Sequence, residues 1–200
     1  MGMTKATQAE ATRKKLIEIA FRAFSTRGYA GTATEDIVKT AGVTRGALYH
    51  HFKNKADLFF GVFCHAQQLL GERIETAAST GNDPWEELVN GCRAFLTASS
   101  DPLLQQILVI DGPAVLKWET IRRTDAEIEG GGFHLLKECL ADLYDKGLLK
   151  TGSVDAAAHL LSGAMDEAAV WIASSDVPET ALEEAMETLG MLLQGIKTPS

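Results

Sequence analysis

A chain of 200 residues with 46% hydrophobic and 23% charged side chains has the composition of a globular protein, which excludes a disordered chain, a collagen and a coiled-coil rod. Its formal net charge of −8, taken as an average, argues against a polyanionic partner. The average hides a division: residues 1–55 carry ten Lys and Arg against four Asp and Glu, whereas residues 56–200 carry nine against 23. The resulting charges of +6 and −14 predict a basic head that faces a polyanion and an acidic body.

The first 55 residues predict three helices. Residues 11–27 place apolar side chains on one face of a helix that ends at Gly28. The sequence Thr32-Ala-Thr-Glu35 matches a capping box, in which the Thr32 hydroxyl and the Glu35 carboxylate satisfy backbone amides, and opens a short helix to about residue 40. After the turn residue Gly42, residues 44–51 form another short helix, so this region predicts a helix-turn-helix.

The remaining segments also predict helices. A long helix, from about residue 54 to 78, links head to body. Asp83-Pro84 and Asp101-Pro102 each begin a helix, and Gly112-Pro113 is expected to break the second one. A further helix from about residue 117 is interrupted by glycines 130–132 and stops at Lys146-Gly147. Residues 154–174 and 178–196 form a helical hairpin, and without any strand pattern the fold class is all-α.

Cysteines and hydropathy predict the compartment. The three widely spaced cysteines form neither a disulfide framework nor a C-x-x-C metal pair. No segment has the length and hydropathy of a membrane span, and the first residues do not resemble a signal peptide. We therefore expect a cytoplasmic protein with no membrane partner, no metal and no cofactor.

Residues 42–55, GVTRGALYHHFKNK, contain the strongest local motif. Val43, Leu48 and Phe52 are expected to anchor a short helix, while Gly46 and Ala47 lack the bulk that would keep its backbone from a groove wall. Polar side chains surround these two small residues: Thr44, Arg45, Tyr49, His50, Lys53 and Lys55. A polar helix face and a metal site are the alternatives, but adjacent histidines point about 100° apart on a helix and lack the i, i+4 spacing of a metal pair.

The spacing over residues 12–63 resembles the DNA-binding domain of the TetR family of bacterial transcriptional regulators. The matching elements are Ala20-Phe-x-x-Phe24, Gly28-Tyr29, residues 32–38, and Gly42-Val43-Thr44 through His51-Phe52-x-Asn-Lys55. The resemblance implies that residues 44–51 are the recognition helix and that a homodimer binds a palindromic operator of double-stranded DNA. It also implies a second domain that holds a small-molecule effector.

The resemblance also assigns roles to single residues in the head. Arg45, Gly46 and Ala47 occupy the positions that approach base edges in the major groove. Phosphate contacts fall to a second group: Thr32, Thr34, Thr44, Tyr49, His50, His51 and Lys55.

The body contains no catalytic motif, so we expect no enzyme. Apolar and polar side chains of its helices are candidates for an effector pocket, with ordinary core packing as the alternative. They are Phe60, Phe63, Phe95, Asp111, Trp118, His134, Met165, Asp166 and Trp171. Cys64 lies off the apolar stripe of its helix, which leaves open a redox-sensing thiol.

The last hairpin, residues 154–196, combines small residues on one helix with an apolar stripe on the other, which is typical of a dimer interface. Burial of both helices within one subunit is the alternative. The predicted domains are a helix-turn-helix DNA-binding domain, residues 1–55, and a helical effector-binding and dimerisation domain, residues 56–200. The predicted function is a dimeric repressor released by a small molecule; a redox-responsive or activating regulator of the same fold is the alternative.

Overall fold

The computed structural model describes residues 5–199, so residues 1–4 and 200 of the two predicted domains lie outside the described part. The regular structure within 5–199 is helical, apart from one isolated antiparallel bridge between Leu149 and Lys197, which confirms the all-α prediction. In chain order the helices are α1 (Lys5–Gly31), α2 (Thr34–Ala41), α3 (Arg45–His51), α4 (Lys55–Ala78), α5 (Pro84–Ser99), α6 (Pro102–Gln105), a π-helical segment (Gln106–Asp111), α7 (Gly112–Val115), α8 (Trp118–Glu127), α9 (Gly132–Asp145), α10 (Val154–Ser174) and α11 (Pro178–Ile196).

Helix starts are encoded by capping side chains. The Thr44 hydroxyl accepts a hydrogen bond from the Ala47 amide at the start of α3. Asn54 caps α4, and Asp83 accepts from two amides at the start of α5. Each cap satisfies amides that the first turn of a helix leaves without a partner, which is why these boundaries were predictable from the sequence.

The predicted capping box of α2 is wrong. The helix begins at Thr34 and its N-cap is Ala33, whose side chain can accept no hydrogen bond. Thr32 is only 2% exposed, and its hydroxyl lies 3.1 Å from the Ala23 carbonyl and 2.8 Å from the Gly28 carbonyl. The cause is the kink at Gly28, where a φ of 71° interrupts α1 and leaves carbonyls that Thr32 satisfies.

The predicted break at Gly112-Pro113 is also wrong. Gly112 has helical dihedral angles, with φ −52° and ψ −60°, and the helical path continues until Leu116. The π-helical segment ends at Asp111, two residues before Pro113, and the Gly112 amide bonds back to Ile107 instead of to the residue four before it. This wider turn falls next to the position where the proline removes one donor from the helix, and the chain passes the proline without leaving the helical conformation.

Two clusters of buried side chains hold the molecule together. The first joins α1–α4 to Leu104, Ile107 and Ile121, so it runs from the head into the body. The second joins α5, α9, α10 and α11. Since α4 belongs to the first cluster and also packs against α5 and α9, it connects head and body.

Gly71 marks the closest approach between α4 and the glycine turn after α8. A Cβ built on Gly71 would lie 1.8 Å from the Gly130 carbonyl oxygen, which is backbone and cannot rotate away. Only glycine therefore fits at this point of α4.

Gly71→Ala should destabilise the protein by about 1–3 kcal/mol, although alanine is the better helix former, because backbone must shift to relieve the clash. Gly91→Ala is the matched control, since its Cβ would make an ordinary 3.5 Å contact with Ile74. Chemical denaturation of both variants tests the expectation. A Gly71→Ala protein as stable as Gly91→Ala would contradict the close approach.

Candidate functional site

The exposed face of α3 is set by the two side chains that anchor the helix. Leu48 and Phe52 are 1% and 3% exposed and belong to the core of the head. The helical period then turns other side chains outward: Thr44, Arg45, Gly46, Tyr49 and His50 are exposed, and Ala47 and His51 are half-buried. The structure thus brings together on one surface the predicted base-edge residues and the predicted phosphate contacts of α3.

Arg45 is the most extended donor on this face. Its side chain is 71% exposed, with Nη1 3.5 Å from Glu35 Oε1 and the guanidinium 5.5 Å from the centre of the Tyr49 ring. The Glu35 backbone amide, the Thr34 hydroxyl and Arg45 lower the pKa of Glu35, so this carboxylate is charged at neutral pH. An ion pair this exposed is weak, and Arg45 can exchange it for another acceptor at little cost.

The surface next to Arg45 is open. A Cβ on Gly46 would have Thr44 Oγ1, at 3.8 Å, as its nearest neighbour, so folding of the head does not require glycine at this position. The missing side chain leaves the backbone of α3 accessible, as a close approach to a groove demands.

The remaining predicted phosphate contacts are not equally free. The Lys55 ammonium donates to the Tyr29 carbonyl and lies 4.3 Å from the centre of the Tyr29 ring, so it ties α4 to the end of α1. Thr34 is 9% exposed, and its hydroxyl donates to Glu35. Thr32 is buried, as described above, and its hydroxyl is withdrawn from the surface. Lys53, by contrast, is exposed beside α3.

The pair His50 and His51 has the geometry of neighbouring rings and not of a ligand pair. The ring centres lie 5.4 Å apart with planes at 69°. Within residues 5–199 there is no group of three or more His, Cys, Asp or Glu side chains placed to hold a metal ion.

Asp111, predicted for the effector pocket, instead joins head and body. Its carboxylate accepts a hydrogen bond of 2.7 Å from the Tyr29 backbone amide, at the kink that Gly28 makes in α1. The π-helical segment that carries Asp111 belongs to the body, so this bond links the two parts directly.

A cavity of about 110 Å³ lies in the body between α4, the π-helical segment, α8 and α10. Four residues of the predicted pocket line it: Phe63, Phe95, Trp118 and Asp166. A second cavity, of about 220 Å³, lies between α4, α5 and α9; Met165 lines it, and Phe95 separates the two spaces.

The other residues predicted for the pocket lie outside these two cavities. Phe60 is half-buried but lines neither cavity, and His134 pairs with Glu138 at 3.2 Å. Trp171 is 45% exposed and lines an open groove of about 770 Å³ between α10 and α11. The pattern of apolar residues did not separate the inner from the outer face of α10, because this helix is apolar on both sides.

Three polar side chains that line the smaller cavity were not predicted from the sequence: Gln67, Arg122 and Asp125. Arg122 Nη1 lies 3.1 Å from Asp166 Oδ2, and the Gln67 amide donates to Asp125. Asp125 follows the buried Ile121 by one helical turn, and this spacing was the signal that could have placed it on the inner face of α8.

Burial raises the pKa of Asp125 to about 7, with a smaller contribution from the charge of Asp166, while Arg122 opposes the shift. Burial likewise raises the pKa of Asp166, which Arg122 counteracts. Near neutral pH the Asp125 side chain is therefore partly protonated and partly ionised.

Asp125→Asn should stabilise the protein more at about pH 8 than at about pH 5, by about 2 kcal/mol. In the parent protein the raised pKa means that folded Asp125 holds a proton that the unfolded chain releases. The parent is therefore stabilised by this proton at low pH and loses that stability as pH rises towards 7, whereas the asparagine variant does not. Thermal unfolding at both pH values measures it, with the exposed Asp176→Asn as the control. An equal effect at the two pH values would contradict the assignment.

An apolar face on α10 and α11 remains uncovered. Its large side chains are between 45% and 75% exposed: Leu160, Trp171, Met191 and Leu192. A contiguous exposed apolar surface of this kind marks an interaction site.

None of the three thiols is set up as a reactive thiolate. Burial raises the pKa of half-buried Cys64, and raises that of Cys92 to about 12 and that of Cys139 to about 11. At neutral pH all three are thiols, the less nucleophilic form.

A helix-turn-helix head with a basic, exposed last helix, carried by an all-helical body, defines the class of helix-turn-helix regulators. Residues 16–62 match the family described as bacterial regulatory proteins, tetR family, and residues 85–196 match the tetracyclin repressor-like C-terminal domain. The chain therefore belongs to the tetR family of bacterial regulatory proteins.

Individual relatives agree with this family. The HTH-type transcriptional regulator AcrR of Shigella flexneri is 36% identical over 106 residues, which is 50% of this chain and 49% of that protein. The probable acrEF/envCD operon repressor of Escherichia coli K12 is 42% identical over 90 residues, 43% of this chain and 40% of that protein. The chain thus spans half or less of the length of these curated relatives.

A solved structure matches almost the whole chain. A TetR-family transcriptional regulator from Pectobacterium atrosepticum is 32% identical, covers 98% of this chain and 99% of its own, and has a TM-score of 0.83. Because the family and these relatives are named as regulators or repressors, the prediction that the chain is not an enzyme is confirmed. Within the described residues, no helix is long and apolar enough to cross a membrane.

Proposed function

We propose that the chain is a transcriptional regulator that binds a palindromic operator as a homodimer and is released by a small-molecule effector. The observation that carries the proposal is the exposed face of α3, where hydrogen-bond donors surround Gly46 and Ala47 on a head of charge +6. The acidic body, of charge −14, lies on the side away from the DNA.

Arg45, Gly46 and Ala47 read base edges in the major groove in this account. Arg45 makes the sequence-specific contact, because its fork of N–H groups matches the two acceptors of guanine, and Gly46 lets the helix approach. Phosphates are contacted by Thr44, Tyr49, His50, His51, Lys53 and Lys55, with the amides at the start of α2 beside Thr34. We leave the buried Thr32 out of this set.

The uncovered apolar face of α10 and α11 is the proposed dimer interface. A second copy related by a two-fold axis would bury Trp171, Met191 and Leu192 between four helices. Such a dimer must place its two α3 helices one turn of DNA apart, about 34–36 Å, to enter successive major grooves.

Release of the operator DNA follows from the structural connection between the smaller cavity and the head. Leu108, Val109 and Pro113 line the smaller cavity, and Asp111 in the same segment holds the Tyr29 amide. A ligand that moves this segment must move the end of α1, and it lowers operator affinity by as much as it prefers the moved conformation. We accordingly keep the division into a DNA-binding domain, 1–55, and an effector-binding and dimerisation domain, 56–200.

Asp111→Ala should uncouple head from body. Without the carboxylate, the Tyr29 amide should exchange its hydrogen faster with solvent, and an effector should release the operator less completely. Amide exchange at Tyr29 checks the first expectation, with Asp145→Ala in the body as the control. Unchanged protection of the Tyr29 amide would show that the bond does not hold the head.

The high thiol pKa values favour ligand release over redox control, and we place the protein in the cytoplasm, where its DNA is. Whether the operator-bound dimer represses or activates depends on its position in the promoter. Relatives with "repressor" in their names favour repression.

Footprinting on DNA upstream of the gene tests the proposal. Two symmetric half-sites should be protected, with two chains bound per site. Leu192→Glu, which puts a charge on the apolar face, should yield monomers that no longer protect the site, whereas Glu179→Gln should change neither. Protection by one chain on a site without symmetry would refute the dimer.

A further inference from the structure

The walls of the smaller cavity are aromatic and aliphatic. Phe63 and Ile121 are buried, Phe95 closes one side and Trp118, 60% exposed, lines it towards solvent. A cavity of about 150 Å³ holds a benzene-sized ring. The 110 Å³ here is about three quarters of that volume, and the side beside the exposed Trp118 is open, so a ring or a short branched chain fits with one end towards solvent and its polar end next to α8 and α10.

The polar end of the cavity has one more negative than positive group. Its charged side chains are Asp125 and Arg122 from α8 and Asp166 from α10, whereas α4 contributes the neutral Gln67 and the π-helical segment and α7 contribute Leu108, Val109 and Pro113. With both acids ionised, the site carries a net charge of −1.

Arg122 does not compensate both acids equally. It makes its ion pair with Asp166 and packs its guanidinium 4.5 Å from the centre of the Trp118 ring. The Asp125 carboxylate accepts a hydrogen bond from Gln67, and no ion pair to it occurs among residues 5–199. Asp125, at the edge of an aromatic cavity, thus has no ion-pair partner of its own, and it feels the Arg122 charge only from a distance.

We propose that this cavity binds a small hydrophobic cation, an aromatic or branched aliphatic amine, with Asp125 as the counter-ion of its ammonium group. The inference rests on the proposed effector role of the cavity and names the chemical class of the effector. Trp118 and Phe95 line the same cavity and supply aromatic surface for the apolar part of such a ligand. An anionic ligand would meet two acidic groups, and a neutral ligand would gain nothing from the charge of Asp125.

Because Asp125 must lose a proton to bind a cation, the affinity of the site for a cation should also depend on pH. Because burial raises the pKa of Asp125 to about 7, the free cavity is largely protonated below this pH, and a cation must displace that proton. Binding of a cation should therefore strengthen as pH rises from about 6 to about 8.

The test is calorimetric titration of the full-length protein with benzylammonium, benzyl alcohol and phenylacetate, which share one ring and differ in charge. At about pH 8, benzylammonium should bind about tenfold more tightly than benzyl alcohol, and phenylacetate should bind most weakly. Asp125→Asn should remove the tenfold preference and the pH dependence while leaving benzyl alcohol unaffected. Asp176→Asn, the same change on the surface, should alter neither.

The outcomes separate this inference from the proposed function. Equal affinity for benzylammonium and benzyl alcohol, no binding of benzylammonium, or an unaffected Asp125→Asn variant would overturn the cation site, even if the protein binds its operator. Selective binding of benzylammonium by a protein that does not bind its promoter DNA would support the site and refute the regulator. Asp125→Asn is expected to be at least as stable as the parent, so its circular dichroism spectrum should show a folded protein.

Discussion

Arg45→Ala should lower operator affinity by about 30-fold to about 10⁴-fold and relax the preference for one base pair in each half-site. A bidentate contact of arginine to guanine is worth about 1–3 kcal/mol of discrimination, and a dimer loses two of them. The side chain is 71% exposed and holds only a weak contact to Glu35, so its removal should leave the fold intact. Fluorescence anisotropy with the operator and with single base-pair variants measures both effects.

Arg93→Ala is the matched control, since it removes the same charge from an exposed arginine of the body that pairs with Glu183. It should leave operator affinity unchanged. Arg45→Lys separates charge from geometry, because lysine keeps the charge but loses the fork of donors. If Arg45→Ala binds the operator and its variants as the parent does, α3 is not the reading helix.

Operator affinity should fall steeply with salt, by a factor of about 10³ between about 50 and 200 mM, if each head neutralises three or more phosphates. Lys53→Ala should weaken binding to all sequences alike and reduce the slope of log affinity against log salt by about 2, one contact for each subunit. The exposed position of Lys53 beside α3 is the reason to choose it over Lys55, which is tied to Tyr29.

Lys150→Ala, in the exposed part of the body, should leave the slope unchanged. Lys55→Ala should combine a loss of affinity with a loss of stability, because it also removes the contact between α4 and Tyr29. A flat salt response of the parent protein would contradict the phosphate contacts altogether.

Local chemistry explains which parts of the fold were predictable. Thr44, Asn54 and Asp83 cap helices through hydrogen bonds to residues two or three positions away, so their effect is written in the nearby sequence. The capping box at Thr32 failed because carbonyls left free by the Gly28 kink attract the same hydroxyl. Whether those carbonyls lie close to the Thr32 hydroxyl depends on the path of the chain around Gly28, which the four residues of the capping box do not determine.

The face of α3 was predictable for the same reason, since the spacing of Leu48 and Phe52 alone determines what turns outward. The cavities of the body were not predictable. Asp111 and Trp171 are side chains of the types that line pockets, but Asp111 accepts a hydrogen bond from the head and Trp171 lines the groove between α10 and α11. Asp125 was missed because its neighbours Gln67 and Asp166 come from helices far away in sequence.

The most direct test of the account is the affinity of the purified protein for DNA from its own promoter region, compared with a scrambled duplex of equal length and base composition at one fixed salt concentration. The account predicts saturable binding of two chains at least about 10³-fold tighter than to the scrambled duplex. Equal affinity for the two duplexes, or no binding to either, would contradict it.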